Sequence, residues 1–213
     1  MFDLNLVIYG YLFLRLAPFI IACFFTLASV LNADYKGVIY LAGLILSSVI
    51  IMVLTPIIHK LNDKVDWFKA PEETERTQIC KEFMLIEVDG QLPQSQSILS
   101  FTFAYLLFPM IKNQVFVTNI PTLIFFPLLI GFDFVWNINN SCFRYGQLIV
   151  SLILGGLFGY LWAMVVSSNG KVKDNLYFTN GSPDLLQCSR PSKSTFKCDV
   201  YKGGKLLTNN IGG

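Results

Sequence analysis

The most chemically equipped run in the chain is Gln91-Leu92-Pro93-Gln94-Ser95-Gln96-Ser97, a polar stretch at the foot of an apolar one. A helix that starts at Ser95 or Ser97 can use that hydroxyl to cap free backbone N–H groups. Such a start also presents N–H donors to an anionic group. The plainer reading of Pro93, Ser95 and Ser97 is a hydrated loop shielded by neighbouring helices. Two charges, Arg15 and Asp133, fall within or at the edge of apolar segments. Placing Arg15 at mid-membrane would cost ~2.5–3.5 kcal/mol on insertion scales. One reading therefore breaks the chain at Arg15-Leu16-Ala17-Pro18, with Arg15 at the interface, and the other pairs Arg15 with Asp133 inside the membrane. His59 is the only histidine. A metal site needs three or four partners, and the spacing supplies no such set. No cofactor motif and no catalytic constellation stands out either.

The cysteines are a second chemical resource. Cys188 and Cys198 flank a short hairpin in the tail, and a disulfide there would offset a poor core by ~2–3 kcal/mol. A zinc pair is the rival, without a second Cys/His pair to complete it. Cys23, Cys80 and Cys142 are scattered along the chain, which leaves the redox compartment open.

Five apolar stretches must position these groups, at 16–33, 38–58, 92–111, 113–132 and 148–166. Val38 to Ile58 runs 21 residues without a charge, and Leu148 to Val166 runs 19. A helix needs about 20 apolar residues to cross a ~30 Å hydrocarbon core. Barrel strands would alternate in hydrophobicity, and these runs do not. Hydrophobic residues make up 54% of the chain and charged ones 14%, against about 25% charged in an ordinary soluble domain. The expected fold class is an all-α polytopic membrane helical bundle of about five transmembrane helices with a small C-terminal β-module. Its parts are an interfacial segment at 1–15, a helical membrane domain at 16–168 with an acidic loop at 59–91, and a basic module at 169–213. The amino terminus lacks the positive n-region of a cleavable signal.

Several spans carry local marks. Pro18 suits the first turn of a helix that begins at Leu16. The second span ends at Thr55-Pro56, and the third is only about 14 residues if it starts near Ile98, or ~21 Å, so it either crosses or re-enters. Pro121 and Pro127 kink or split the fourth, and Phe132-Asp133-Phe134-Val135-Trp136 reads as its interfacial end. In the fifth, Ser151, Gly155, Gly159 and Ala163 recur every four residues, a helix-packing face that allows close backbone approach.

Charge outside the spans is uneven. Residues 59–91 hold five Lys/Arg and eight Asp/Glu, while 167–213 hold seven Lys/Arg and three Asp. Strand-like pieces at 176–178, 185–188, 195–201 and 205–207, separated by Gly, Pro and Ser turns, predict two to four strands in the tail. With five crossings, 59–91 and Arg144 lie on one side, with six Lys/Arg. Lys36, Lys112 and the tail lie on the other with nine, most of them where the positive-inside rule has little weight. Sequons at Asn139-Asn140-Ser141 and Asn180-Gly181-Ser182 then fall on opposite sides, so both cannot be glycosylated. A net charge of +2 does not argue for nucleic acid.

Two resemblances attach to these residues. Lys69 to Arg76 has the K-x6-R spacing of the type-2 phosphatidic acid phosphatase family, but Thr77 follows where that family has Pro. Pro93-Gln94-Ser95-Gln96 stands where the family has P-S-G-H, and Arg144-Tyr145-Gly146 sits where its third motif begins. The histidines are missing, and a phosphohistidine route cannot run without its nucleophile. The resemblance therefore implies a helical bundle without the chemistry. The order Cys80-Lys81-Glu82-Phe83, then Pro93-x-Ser95-x-Ser97 leading into Phe101-Thr102-Phe103-Ala104-Tyr105-Leu106, resembles membrane proteins of nucleocytoplasmic large DNA viruses. So does the Gly-rich last span followed by a Tyr-Phe and two-cysteine tail, though Gln94 and Gln96 depart from the P-S-S-x-S of that group. This second resemblance covers most of 80–201 and implies a component of a virion internal membrane.

Three functions stay in view. The first is a structural, non-enzymatic multi-pass virion membrane protein whose tail and acidic loop contact capsid or other virion proteins. The second is a divergent lipid-phosphate-binding bundle. The third is a small transporter or channel, for which only Arg15, Asp133 and the cluster at 91–97 supply intramembrane polarity. The lipid bilayer is a partner in each, and the oligomeric state is open.

Overall fold

The computed structural model describes residues 6–62, 68, 80, 92–169, 176–178, 200–202 and 205–208. They fall in two units, Met1–Asn180 and Gly181–Gly213. The first is helical: α1 (Leu6–Leu31), α2 (Lys36–Asn62), α3 (Gln94–Asn113), a 3-10 turn (Val117–Asn119), α4 (Ile120–Asn139) and α5 (Tyr145–Ser168). The second holds an antiparallel pair, β1 (Val200–Lys202) and β2 (Lys205–Thr208), in which Tyr201 pairs with Leu206.

Three helical segments are long and apolar enough to cross a membrane, Lys36–Ile58, Val117–Asn139 and Tyr145–Ser168, and Leu16–Leu31 is a shorter apolar one. Their outward faces carry bare apolar side chains such as Phe19, Phe24, Val53, Leu128 and Phe132. In water such a surface would be costly; in lipid it is the expected one.

The least apolar helix is the innermost. α3 touches each of the other four helices and buries Gln94, Ser95, Gln96, Ser97, Ser100 and Thr102 along with Leu99, Phe101, Tyr105 and Met110. Its closest partner is α5, which runs parallel to it. A Cβ added to Gly155 would collide with the Ser97 carbonyl and the Ser100 hydroxyl, and one on Gly159 with the Phe101 carbonyl. Ser151 donates its hydroxyl to the Pro93 carbonyl at 2.6 Å, and Ala163 is fully buried in the main core. Ser151, Gly155, Gly159 and Ala163 thus form one row on α5 along which two backbones nearly touch, so dispersion acts over the whole length. α2 closes on α5 in the same way: a Cβ on Gly43 would enter the Trp162 ring, and Trp162 Nε1 donates to the Ile39 carbonyl at 3.0 Å.

The α1–α2 turn is held by Asp34, whose carboxylate accepts from Ser29 Oγ at 2.8 Å and from the Lys36 N–H at 3.2 Å. Gly37 lets α2 leave against the Phe25 carbonyl, where any Cβ would clash. Nearby, Tyr40, Phe101 and Tyr105 fill the core, with the Tyr40 and Thr102 hydroxyls 2.7 Å apart.

Several sequence expectations need correction. The chain does not break at Arg15–Pro18; α1 is one helix through both, with Pro18 internal. Ala17 packs with Leu99 of α3 and Leu129 of α4, and membrane helices absorb a lost N–H when neighbours hold them. The second apolar span does end at Ile58, as the run 38–58 has it, while the helix itself continues past Pro56 to Asn62. α4 is a single helix from Ile120 with Pro121 in its first turn and Pro127 internal, so the span is not split, and Phe132–Trp136 lies in its last turns. α3 starts at Gln94 with Pro93 as N-cap and no side-chain cap, not at a capping serine.

Residues 176–178 are a turn, not a strand, and they belong to the helical unit. Leu176 is buried in the main core. Tyr177 donates to the Phe25 carbonyl at 3.3 Å, its ring 4.9 Å from that of Phe25. Asn113 Nδ2 donates to the Phe178 carbonyl at 2.8 Å. Burial pushes the Tyr177 phenol up to about 12, with the charge of Asp34 adding to it. It therefore remains a neutral donor at any physiological pH. Of the expected tail strands, 185–188 lies outside the described residues, as does 195–199.

The α3–α5 row carries the first prediction. Gly159→Leu should destabilise the purified protein by at least about 2 kcal/mol, through overpacking against backbone that cannot move aside. Ile153→Leu, on the exposed face, should stay within about 0.5 kcal/mol. Thermal unfolding in detergent or nanodiscs compares the two, and equal effects would mean that the row is not a contact.

Candidate functional site

The residues with the most chemical potential collect at one end of the bundle, where α3 and α5 begin and α4 ends. Pro93 leads into α3 in extended conformation, and the first helical bond runs from the Ser97 N–H to the Pro93 carbonyl at 3.3 Å. The N–H groups of Gln94, Ser95 and Gln96 therefore have no intrahelical acceptor. Around this start Gln94 is 4% exposed, Ser95 6%, Gln96 0% and Ser97 2%. Gln94 Nε2, Ser95 Oγ and both amide atoms of Gln96 make no hydrogen bond. A buried polar atom left this way costs about 1–3 kcal/mol.

Neighbouring polar groups are better satisfied. Gln147 closes a capping box at the start of α5, its Oε1 accepting the Arg144 N–H at 3.2 Å. On α4, Asp133 and Asn137 are buried, and Asn137 Nδ2 donates to the Asp133 carbonyl at 2.7 Å. Asp133 lies one turn beyond Leu129, which shares a cluster with Ala17 of α1. The Arg15 side chain, its suggested partner, lies outside the described residues.

Sequence reasoning missed the covalent feature of this end. Cys80 and Cys142 form a disulfide with Cα atoms 5.6 Å apart, 62 residues apart in sequence. Both are buried, packed with Phe143 and Leu148 against Phe134 and Ile138. Closing a loop of that length is worth about 4 kcal/mol in the chain-entropy picture. The two cysteines are therefore not merely scattered. A usable signal existed, because the expectation of five crossings puts the loop 59–91 and the turn near Arg144 on the same side. Cys188 and Cys198, the pair proposed from sequence, lie outside the described residues, and Cys23 is a free thiol.

The site thus offers amide and hydroxyl groups and an uncapped helix start. Amides and serines of this kind hold a polar group; they do not shuttle protons near neutral pH. Among the described residues no three His, Cys, Asp or Glu side chains gather as for a metal ion. Compared with known protein families, curated proteins and solved structures, the chain matches none.

Gln96 provides the second prediction. Replacing it by Leu removes two unpartnered polar atoms at nearly constant volume, and Gln96→Leu should raise unfolding stability in lipid-free detergent by about 1–2 kcal/mol. Denaturation midpoints of variant and parent give the comparison; a loss of stability would show that the amide is satisfied in the folded protein.

Proposed function

We propose that this chain is a structural, non-enzymatic multi-pass membrane protein that crosses the bilayer five times. Its setting is the internal membrane of a large DNA virus particle, where its basic tail contacts capsid or other virion proteins. The observation that carries the reading is a bundle braced at both ends around a closely packed centre. At one end the Cys80–Cys142 bridge joins the α2–α3 connection to the α4–α5 turn. At the other, Lys112 donates to Ser167 Oγ, and Leu176 to Phe178 fold back onto α1 and α3. Transport would need an element free to rearrange; these braces suit a scaffold. Five crossings follow if α3, hidden from lipid by its neighbours, and α1 cross along with the three apolar helices.

The tail beyond Asn180 is the docking element in this proposal, since it forms a separate unit and has an excess of Lys and Arg. Complementary charge on an acidic partner favours and steers such contacts. Deleting 181–213, which spares the Leu176–Phe178 anchor, should leave membrane insertion intact and abolish incorporation into particles or co-purification with capsid proteins. Normal incorporation of the truncated chain would remove the tail from this role.

The unpartnered Gln94, Ser95 and Gln96 groups favour one second reading, a bundle that binds a lipid phosphate without cleaving it. Phosphatidic acid in nanodiscs should then raise the melting temperature of the parent protein and not that of Gln96→Leu, with no phosphate released. An equal response of both proteins would dismiss it.

A further inference from the structure

We infer that the end of the bundle bearing Cys80 and Cys142 faces an oxidising compartment, and that the opposite end, from which the basic tail departs, faces the reducing cytosol. This rests on the five-crossing reading and supplies the orientation that reading lacks.

The argument begins with thiol chemistry. Forming the bridge removes two protons and two electrons from Cys80 and Cys142, and these pass to a disulfide-bearing oxidant that is reduced to a dithiol. Such oxidants act on the lumenal or extracellular side of membranes, whereas the cytosolic thiol pool keeps cysteines reduced. Both cysteines are buried, Cys80 at 2% and Cys142 at 1% exposure, which shields the bridge once it has formed.

Topology extends the assignment to the rest of the chain. Ser151 meets Pro93, Gly155 meets Ser97 and Gly159 meets Phe101, so α3 and α5 point the same way and begin at the disulfide end. The α4–α5 turn holding Cys142 lies at that end, and so does the connection holding Cys80. The α1–α2 turn at Asp34 and the α3–α4 turn at Gln114 lie at the other, near Leu176–Phe178. The amino terminus is then on the oxidising side and the carboxyl terminus in the cytosol.

Charge counting leans weakly the other way. Near span ends, the disulfide side has Arg15, Lys60, Lys64, Lys69, Arg76, Lys81 and Arg144, against Lys36, Lys112, Lys171 and Lys173 opposite. A margin of three charges, most of them on one connection, is a small bias. The bridge outweighs it, because the cytosolic thiol pool keeps cysteines reduced. The consequence is functional: the seven Lys/Arg of residues 167–213 then face anionic cytosolic headgroups and proteins, which attract basic segments.

The test uses the full-length chain with Cys23, Cys188 and Cys198 changed to Ser and a short epitope at each terminus, expressed in eukaryotic cells. Cells are quenched with acid, and denatured protein is treated with a polyethylene-glycol maleimide with and without prior reduction. Two adducts only after reduction are expected. Protease added to sealed microsomes should remove the carboxyl-terminal epitope and spare the amino-terminal one. Two adducts without reduction would overturn the inference, as would removal of the amino-terminal epitope alone. Both epitopes on the same side would instead overturn the five-crossing reading, and the inference with it.

Discussion

The close approach of α3 and α5 is the constraint from which the rest of the bundle follows. α3 carries two glutamines, three serines and a threonine within its first nine residues, and none of these can face hydrocarbon cheaply. They are kept from lipid only if neighbouring helices surround α3, and the nearest can come close only if its facing side chains are small. Ser151, Gly155 and Gly159 meet that need: Ser151 lies against the carbonyl of Pro93, which caps α3, and the two glycines against carbonyls of α3 itself. With α5 so close, α2 reaches the same helix through Gly43 and Trp162, and α1 and α4 complete the surround. The polar helix in the middle and the apolar helices outside are one solution to one solvation problem.

The two ends solve a different problem. Where α3 and α5 begin, a disulfide ties the connections together; where they end, hydrogen bonds and an aromatic contact recruit the chain that follows α5. Covalent bracing at one end acts on the unfolded chain as well as the folded one. Bracing by Leu176 and Tyr177 acts only on the folded state. The unpartnered amide of Gln96 sits beside this rigid arrangement, a local cost that α3 retains within an otherwise well-packed fold.

Membrane residence was legible from the residues because it depends on run length and absence of charge, which are properties of the linear chain. Lys36–Ile58 and Tyr145–Ser168 could be placed within a few residues on that basis alone. Prolines misled. Pro18 signals a break in a linear reading, yet α1 passes through it where it is buried among neighbouring helices; α2 and α4 also pass through Pro56 and Pro127, both of them exposed. Leu176-Tyr177-Phe178 misled as well: its composition is that of a strand, but a turn buried in the helical core uses the same apolar side chains.

The sequence by itself determined that this chain has helices long and apolar enough to cross a membrane, which segments are apolar, and that small residues recur along one face of α5. Tertiary structure alone decided what that face meets, that Gln94 and Gln96 are buried in helix α3, and that Cys80 finds Cys142. The physical reason is one of range. Hydropathy and helical period act over neighbouring residues and can be read along the chain, whereas burial of an amide or pairing of two thiols depends on segments about 60 residues apart meeting in space.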